Sequence, residues 1–191
     1  MGNLENYRQI KKQAESSINN RHLYVANIIK DLFEPTQHKN LCEIGAGNFE
    51  LANILATLYE KIDAYEMYHR PNIKKGISNL KIYGSFNRFV NVSNYNLLIS
   101  VCPYYYSYNE YDDIDTEEVT QELVTDILDL SVENDINSFI VLSNTPSSDE
   151  VVKEVNNKNK YKEIGHDNID LHFEKHGKMN TSNNKVLIYK R

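Results

Sequence analysis

Apolar residues recur along this chain in two patterns, one with helical spacing and one of short continuous runs. Helical spacing repeats every three or four residues, whereas short runs bounded by turn residues are typical of buried strands. The runs predict strands at 40–44, 62–66, 80–83, 96–102, 138–143, 169–173 and 185–189. The helical spacing predicts two helices before residue 36, helices at 49–59, 115–133 and 147–155, and short helical segments after Pro71 and at 86–92.

The order of these elements predicts an α/β fold. Strands that alternate with helices form parallel sheets covered on both faces, and the last two runs are separated by a Gly/Asn/Ser-rich turn. We therefore expect a doubly wound, mostly parallel seven-stranded sheet with a C-terminal antiparallel hairpin and extra N-terminal helices. The length of 191 residues suits one domain, 1–191. Residues 1–36 are a candidate helical lid, with His22 and Tyr24 as candidate substrate contacts.

A glycine turn follows the first predicted strand. It reads Glu43-Ile44-Gly45-Ala46-Gly47-Asn48. Gly45 and Gly47 allow a sharp turn and leave room for a ligand, and the helix that follows presents free N–H groups. Glu43 ends the first strand, and Glu66 ends the second about twenty residues beyond the glycines, where a carboxylate can accept both hydroxyls of a ribose. The turn therefore predicts a nucleotide-like cofactor.

The identity of that cofactor depends on the third glycine of the dinucleotide-binding pattern, which is absent because Glu50 stands in its place. A carboxylate there would also repel a pyrophosphate. The acidic-x-Gly-x-Gly turn with a second-strand acid instead resembles the class I (Rossmann-like) S-adenosylmethionine (SAM) methyltransferases, over roughly 40–191. SAM carries a sulfonium and an ammonium and no phosphate. The family often has a further glycine where Phe49 stands, and we expect this departure to alter packing more than binding.

The resemblance implies SAM as the cofactor and a set of residues around it. The implied cofactor-binding residues are Glu43, Gly45, Ala46, Gly47, Asn48, Glu66, Met67, Ser85, Phe86 and Val101. Phe86 would cover the adenine ring, with an ordinary core position as the alternative. A turn that serves only to reverse the chain is the alternative for the whole pattern.

A tyrosine-rich loop follows the fourth strand. In methyltransferases this loop flanks the transferred methyl, and those that act on base amines carry Asn or Asp, a variable residue or Pro, then Pro and an aromatic residue. Pro103 and Tyr104 match the last two positions, whereas Val101 replaces the polar one. The resemblance implies catalytic roles for Ser100, Pro103 and Tyr104. Tyr105, Tyr106 and Tyr108 could stack on a flat substrate or surround a cation, or occupy core and surface positions.

Charge is distributed unevenly along the chain. The net charge is −6, and no Lys or Arg lies between Arg88 and Lys153. A nucleic-acid interface needs clustered cations. We therefore expect a small-molecule or cationic amine-bearing substrate and not nucleic acid. Two alternatives stay open: a base-amine N-methyltransferase of RNA or DNA, similar to the rRNA adenine dimethylases, and a non-catalytic SAM- or nucleotide-binding protein.

An acidic stripe runs along the helix predicted at 115–133. It comprises Glu118, Glu122, Asp126, Asp129 and Glu133. A solvated face is one interpretation of this stripe, and a docking surface for a cationic partner is the other.

Histidine, cysteine and hydropathy patterns bear on metals and location. His166, His172 and His176 lie within one strand and its turn, where we expect exposed side chains and no metal site.

Cys42 and Cys102 lie in separate apolar runs, as expected of reduced buried thiols. Because no run is long enough to span a bilayer and no signal peptide is present, we expect a cytoplasmic protein without a membrane partner. Nothing in the pattern indicates an oligomeric state.

Overall fold

The computed structural model describes residues 21–66, 77–103, 116–143, 146–175 and 178–191. The helices in these ranges are α1 (Arg21–Leu32), α2 (Glu50–Leu55), α3 (Thr116–Asn134) and α4 (Pro146–Asn157), followed by a 3-10 turn at Asn159–Tyr161. The strands are β1 (Asn40–Ile44), β2 (Lys61–Tyr65), β3 (Leu80–Tyr83), β4 (Leu97–Val101), β5 (Asn137–Leu142), β6 (Gly165–Lys175) and β7 (Lys178–Tyr189). The first helix predicted from the sequence and the segment after Pro71 lie outside the described residues.

The seven strands form one sheet in the order β3-β2-β1-β4-β5-β7-β6. Strands β1 to β5 pair in parallel, whereas β7 pairs antiparallel to both β5 and β6. The prediction of a mostly parallel sheet with a C-terminal antiparallel hairpin is confirmed. The strand order reverses between β1 and β4, and in open α/β sheets ligands bind at the carboxyl ends of strands at such a point.

Apolar side chains cover both faces of the central strands. Every residue of β5 is buried, and so are the first four residues of β4. Helices α1 and α2 pack together against one face, and α3 and α4 against the other. The described part of the N-terminal segment, α1, is therefore built into the core. Its buried residues are Tyr24, Val25, Ala26, Ile28, Ile29 and Leu32.

Three element predictions differ clearly from the structure. The helix predicted at 49–59 ends at Leu55. The helical segment predicted at 86–92 is wrong, because the side-chain oxygens of Asn87 and Asn91 accept the backbone N–H groups of Phe89 and Ser93 and form turns. The C-terminal strands are longer than predicted, since the ladder runs from Gly165 opposite Ile188 to Lys175 opposite Lys178. Polar residues fill much of this hairpin, so the apolar pattern does not mark its full length.

No helix in the described ranges has the length and apolar character needed to cross a membrane.

Candidate active site at the carboxyl ends of the strands

The glycine turn lies directly after β1 and is tied to the end of β2. The backbone N–H groups of Gly45 and Ala46 both donate to the carbonyl oxygen of Tyr65, at 2.9 and 3.1 Å. Gly45 and Gly47 have φ values of 72° and 56°, in the left-handed region that glycine adopts without strain. The turn is therefore a defined structure that only glycine accommodates easily at these two positions.

Glu66 lies beside this turn. The N–H of Gly47 donates to Oε2 of Glu66 at 2.7 Å, so the second-strand acid and the second glycine meet directly. A Cβ atom built on Gly47 would meet nothing within 4 Å, which leaves open space in front of the turn. Glu66 is half-buried at the border of this space. A ligand there would contact a backbone turn on one side and a carboxylate on the other.

Glu43, the other acid, lies beneath the turn. It is buried, its Oε2 has no hydrogen-bond partner in the described part of the chain, and a backbone hydrogen bond joins the carboxylate to Ala52. Burial, and then the negative charge of Glu66, raise the pKa of Glu43 to about 8, against the lowering effect of the Ala52 hydrogen bond. Glu43 is therefore mostly protonated at neutral pH.

The end of β4 lies against the same turn. Ser100 is fully buried, and its hydroxyl donates to the carbonyl oxygen of Ile44 at 2.9 Å, which joins β4 to β1. Val101 is half-buried. Pro103 approaches the turn so closely that a Cβ atom on Gly45 would lie 3.3 Å from the Cβ of Pro103. The glycine at this position thus also permits close packing between the ends of β1 and β4.

Aromatic side chains occupy the region after β3. The ring of Phe86 is buried and meets the ring of Tyr65 edge-on, with 5.3 Å between ring centroids. The ring of Tyr83 stacks on the ring of Tyr65, with 4.9 Å between ring centroids. Phe86 therefore belongs to an aromatic cluster of the core, while Ser85 is exposed.

The structure brings some of the sequence-predicted residues together and separates others. Glu43, Gly45, Ala46, Gly47, Glu66 and Pro103 surround the ends of β1, β2 and β4. Asn48 and Ser85 are exposed, and the Ser100 side chain is inside the sheet. Met67, Tyr104, Tyr105, Tyr106 and Tyr108 lie outside the described residues.

Helix α1 reaches this region at its first turn. Nδ1 of His22 lies 2.8 Å from Oε2 of Glu50, the first residue of α2. Burial and the charge of Arg21 lower the pKa of His22, against the opposing effect of Glu50. Tyr24 is buried in the core. The described part of the N-terminal segment thus borders the helix that follows the glycine turn.

The sequence patterns did not single out Asn184 of β7. This side chain is only 2% exposed, and its Nδ2 donates to the carbonyl oxygen of Leu142 at 3.0 Å and to Sγ of Cys102 at 3.3 Å. It therefore lies at the carboxyl ends of the parallel strands, where the glycine turn also lies. Its surroundings depend on the pairing of β7 with β5, which residue spacing alone does not reveal.

The sequence has no match among known families, whereas the fold resembles known structures. No family model matches the sequence. No curated protein matches it either. Among solved structures, the chain is similar to the methyltransferase domain of METTL16 in an N-terminally truncated form (TM-score 0.60, 14% identity, covering 88% of this chain and 81% of that one). The fold is that of the class I methyltransferases.

Two further solved structures share this methyltransferase fold. A putative rRNA methylase from Clostridium thermocellum has a TM-score of 0.57 at 12% identity, with 91% of this chain and 99% of that one covered. A putative RNA methyltransferase from Pyrococcus horikoshii has a TM-score of 0.52 at 11% identity, with 87% and 82% covered. At these identities the likeness concerns the fold.

These structures correct the expectation about partners. The prediction that nucleic acid is not a partner is wrong, because structures with this methyltransferase fold include an rRNA methylase and an RNA methyltransferase by their own descriptions. The prediction treated charge along the chain as charge on the surface. In the structure, lysines of the C-terminal part reach the acids of the middle part: Lys160 pairs with Asp129 at 2.6 Å and Lys185 with Asp149 at 2.7 Å. The preference for a small or cationic substrate rested on the same argument.

Asp129 belongs to the acidic stripe of α3, and it also accepts a hydrogen bond from the Tyr161 hydroxyl. Part of that stripe is therefore engaged within the chain. Across the described ranges, no group of three His, Cys, Asp or Glu side chains is arranged to hold a metal ion.

Proposed function

We propose that this protein is a SAM-dependent methyltransferase. The observation that carries the proposal is the contact of Gly47 with Glu66 at 2.7 Å, at the carboxyl ends of β1 and β2 in a class I methyltransferase fold. This contact sets a carboxylate beside a glycine turn, where the two hydroxyls of a ribose can be bound. When bound, SAM supplies a methyl group on a sulfonium, which is open to attack by a lone pair.

The residues of the site fit SAM better than a dinucleotide. Glu43 has a buried oxygen without a partner among the described residues, and Glu66 repels its negative charge. A cationic ligand would favour the ionised form of Glu43, whereas a pyrophosphate would add to the repulsion. Glu43 and Glu66 are therefore the residues that we propose for the polar groups of the cofactor.

We infer further that the methyl acceptor is an exocyclic amine of a nucleobase in RNA. Pro103 lies against the glycine turn, and Pro103-Tyr104 is the part of the sequence that resembles methyltransferases of base amines. The RNA methylases that share the fold support the same substrate class. Aligning the amine with the methyl and excluding water can lower the barrier by several kcal/mol without a strong base.

Calorimetric titration with SAM, S-adenosylhomocysteine (SAH) and NAD tests the cofactor. We expect SAM and SAH to bind and Glu66→Ala to weaken both at least about tenfold, the usual effect of losing hydrogen bonds to a charged group. Glu60→Ala, which removes an exposed acid paired with Lys39 at the opposite end of β2, is the control and should bind like the wild type. Binding of NAD alone, or of none of the three, would contradict the proposal.

Transfer of a labelled methyl group from SAM to an RNA pool tests the acceptor. We expect the label to enter RNA and to be released as modified bases after ribonuclease digestion. Label that appears only in protein or small molecules would overturn the RNA assignment while leaving methyl transfer intact. Binding of SAM without any turnover would instead favour a non-catalytic SAM-binding protein.

A further inference from the structure

The chain leaves β4 through a backbone conformation that cysteine rarely adopts. Cys102 has a φ of 49°, in the left-handed region that residues other than glycine, Asn and Asp seldom enter. It also precedes Pro103, and a proline favours extended conformations for the residue before it. Residues in such conformations persist only where their surroundings hold them, and they concentrate at functional sites.

Hydrogen bonds hold Cys102 in this conformation, and its thiol also has one with Ser143. Its backbone N–H donates to the carbonyl oxygen of Val141 at 2.7 Å, and its Sγ accepts from Nδ2 of Asn184 at 3.3 Å. The second hydrogen of the same Nδ2 goes to the carbonyl oxygen of Leu142 at 3.0 Å. The side-chain amide of Asn184 therefore adds a connection from β7 to the ends of β4 and β5, which also pair directly with each other.

The direction of this amide is defined by its neighbours. The carbonyl oxygen of Leu142 can only accept, so the nitrogen of Asn184 must face it. The amide oxygen is buried and has no partner in the described part of the chain. An unpaired buried oxygen costs free energy, so the two hydrogen bonds of the nitrogen are what this asparagine contributes at its position.

The turn at Cys102 determines where Pro103 lies. Pro103 has a rigid ring and no N–H, so its position follows from the conformation of the residue before it. The close approach of Pro103 to Gly45 thus depends on the left-handed turn. Contacts run without a break from Asn184 through Cys102 and Pro103 to the glycine turn.

We propose that Asn184 is a positioning residue for methyl transfer. Its amide nitrogen holds Cys102 in the turn that sets Pro103 against Gly45, at the end of the site where the proposed function puts the transferred methyl. This inference rests on the proposed function. It adds a residue of β7 to a site that is otherwise built from the ends of β1, β2 and β4.

The ratio of the dissociation constants for SAM and SAH isolates this role. The two ligands share the adenine, the ribose and the amino-acid portion, and they differ only in the methyl group and its charge. A variant that merely loosens the fold weakens both ligands alike and leaves the ratio unchanged. A displaced Pro103 changes the surroundings of the methyl and therefore changes the ratio. The measurement needs no methyl acceptor.

We expect Asn184→Ala to raise the ratio of the SAM constant to the SAH constant by about three- to tenfold, because a displaced Pro103 weakens only the contact with the methyl group. Cys102→Ala should shift the ratio in the same direction, and Cys102→Ser, which keeps an acceptor for the amide, should restore most of the wild-type ratio. The double variant should be no worse than Asn184→Ala alone, because both changes break one connection.

Asn183→Ala provides the matched control. Asn183 is the adjacent residue of β7, is exposed, and donates to Asp170 at 2.7 Å, so the change removes a hydrogen bond away from the site. Its SAM-to-SAH ratio should equal that of the wild type. Thermal unfolding of every variant, measured in parallel, shows which proteins are folded at the titration temperature.

The outcomes separate the inference from the proposed function. Wild-type protein that binds neither SAM nor SAH overturns the proposed function, and the inference with it. Wild-type protein that binds both, with unchanged ratios in Asn184→Ala and Cys102→Ala, overturns the inference alone. A Cys102→Ser variant as impaired as Cys102→Ala also contradicts it, since the amide would then have no positioning effect through its acceptor.

Discussion

Glu43 is a residue whose charge state depends directly on the fold. The pKa of Glu43 is raised to about 8 because the carboxyl group is buried and lies near Glu66. A carboxyl group with a raised pKa contributes stability that is fully present below its ordinary value of 4.5 and is lost as the pH rises through 8. Relative to the wild type, Glu43→Gln should therefore gain stability between pH 5 and pH 9, by more than about 1 kcal/mol.

Urea unfolding of both proteins across this pH range measures the gain. Titrating groups that do not interact with Glu43 are common to the two proteins and cancel in the difference, whereas Glu66 does not, because its charge acts on Glu43. Glu150→Gln removes an exposed acid of α4 and serves as the control for net charge. A gain of equal size in that control would assign the effect to net charge. A difference in the free energy of unfolding between Glu43→Gln and the wild type that does not change with pH would show that the pKa of Glu43 is not raised.

Phe49 combines an unfavourable backbone conformation with a fully buried side chain. Its φ is 60°, a conformation suited to the glycine that the family often has there, yet its side chain is fully buried. Phe49→Gly should lower the free energy of unfolding by about 2–4 kcal/mol, because the lost burial outweighs the relief of backbone strain. SAH affinity, measured by calorimetry well below the unfolding temperature, should change less than about threefold. A stabilised variant would show that strain outweighs packing at this turn.

At the scale of elements, β2 contains a buried charge close to the site. Asp63 is 2% exposed, and its Oδ2 accepts the Tyr95 hydroxyl at 2.8 Å and lies 2.9 Å from Nζ of Lys61. Tyr95→Phe should lower the free energy of unfolding by about 1–3 kcal/mol, since a buried carboxylate would lose a donor and the hydrogen bond of Tyr95 with Tyr65 would also be lost. Tyr59→Phe, whose hydroxyl donates to the neutral carbonyl oxygen of Phe33 at 2.8 Å, is the matched control with an expected loss of about 1 kcal/mol. Equal losses in chemical denaturation would contradict a special role for Asp63.

Elements were predictable from the sequence where local pattern and burial agree. The bounds predicted for β1 and β3 equal those observed, because each is a short run flanked by turn residues. That Glu66 and the glycine turn lie at the same end of the sheet was predictable, because the acid ends the second strand at a regular interval after the glycines. The position of Asn184 was not, since it depends on β7 pairing with β5, and neither was the end of α2 at Leu55, which comes before the predicted end at residue 59.

At the scale of the whole molecule, charges that are separated along the chain are mixed in space. Lys160 and Lys185 are engaged with acids, so they do not offer their full charge to a polyanion. Lys81 of β3 is exposed at the other edge of the sheet, and Arg88 of the following loop is exposed and lies near enough to Asp126 of α3 to oppose the rise in the pKa of that carboxyl. We therefore expect the proposed RNA substrate to bind along the edge strand β3, on the side of the sheet that is farther from β7.

The salt dependence of RNA binding distinguishes the two edges. Each cation that contacts a phosphate of single-stranded RNA adds about −0.7 to the slope of log affinity against log salt. The double variant Lys81→Gln/Arg88→Gln should make that slope shallower by about 1.4 and leave SAH affinity unchanged. Lys185→Gln, which removes a cation already engaged with Asp149, should leave the slope as it is. Both variants lose positive charge, so a general effect of net charge would change the slope in both. A contact of the RNA with the β3 edge would change the slope only in Lys81→Gln/Arg88→Gln. The reverse result would place the RNA on the β7 side, beside Asn184.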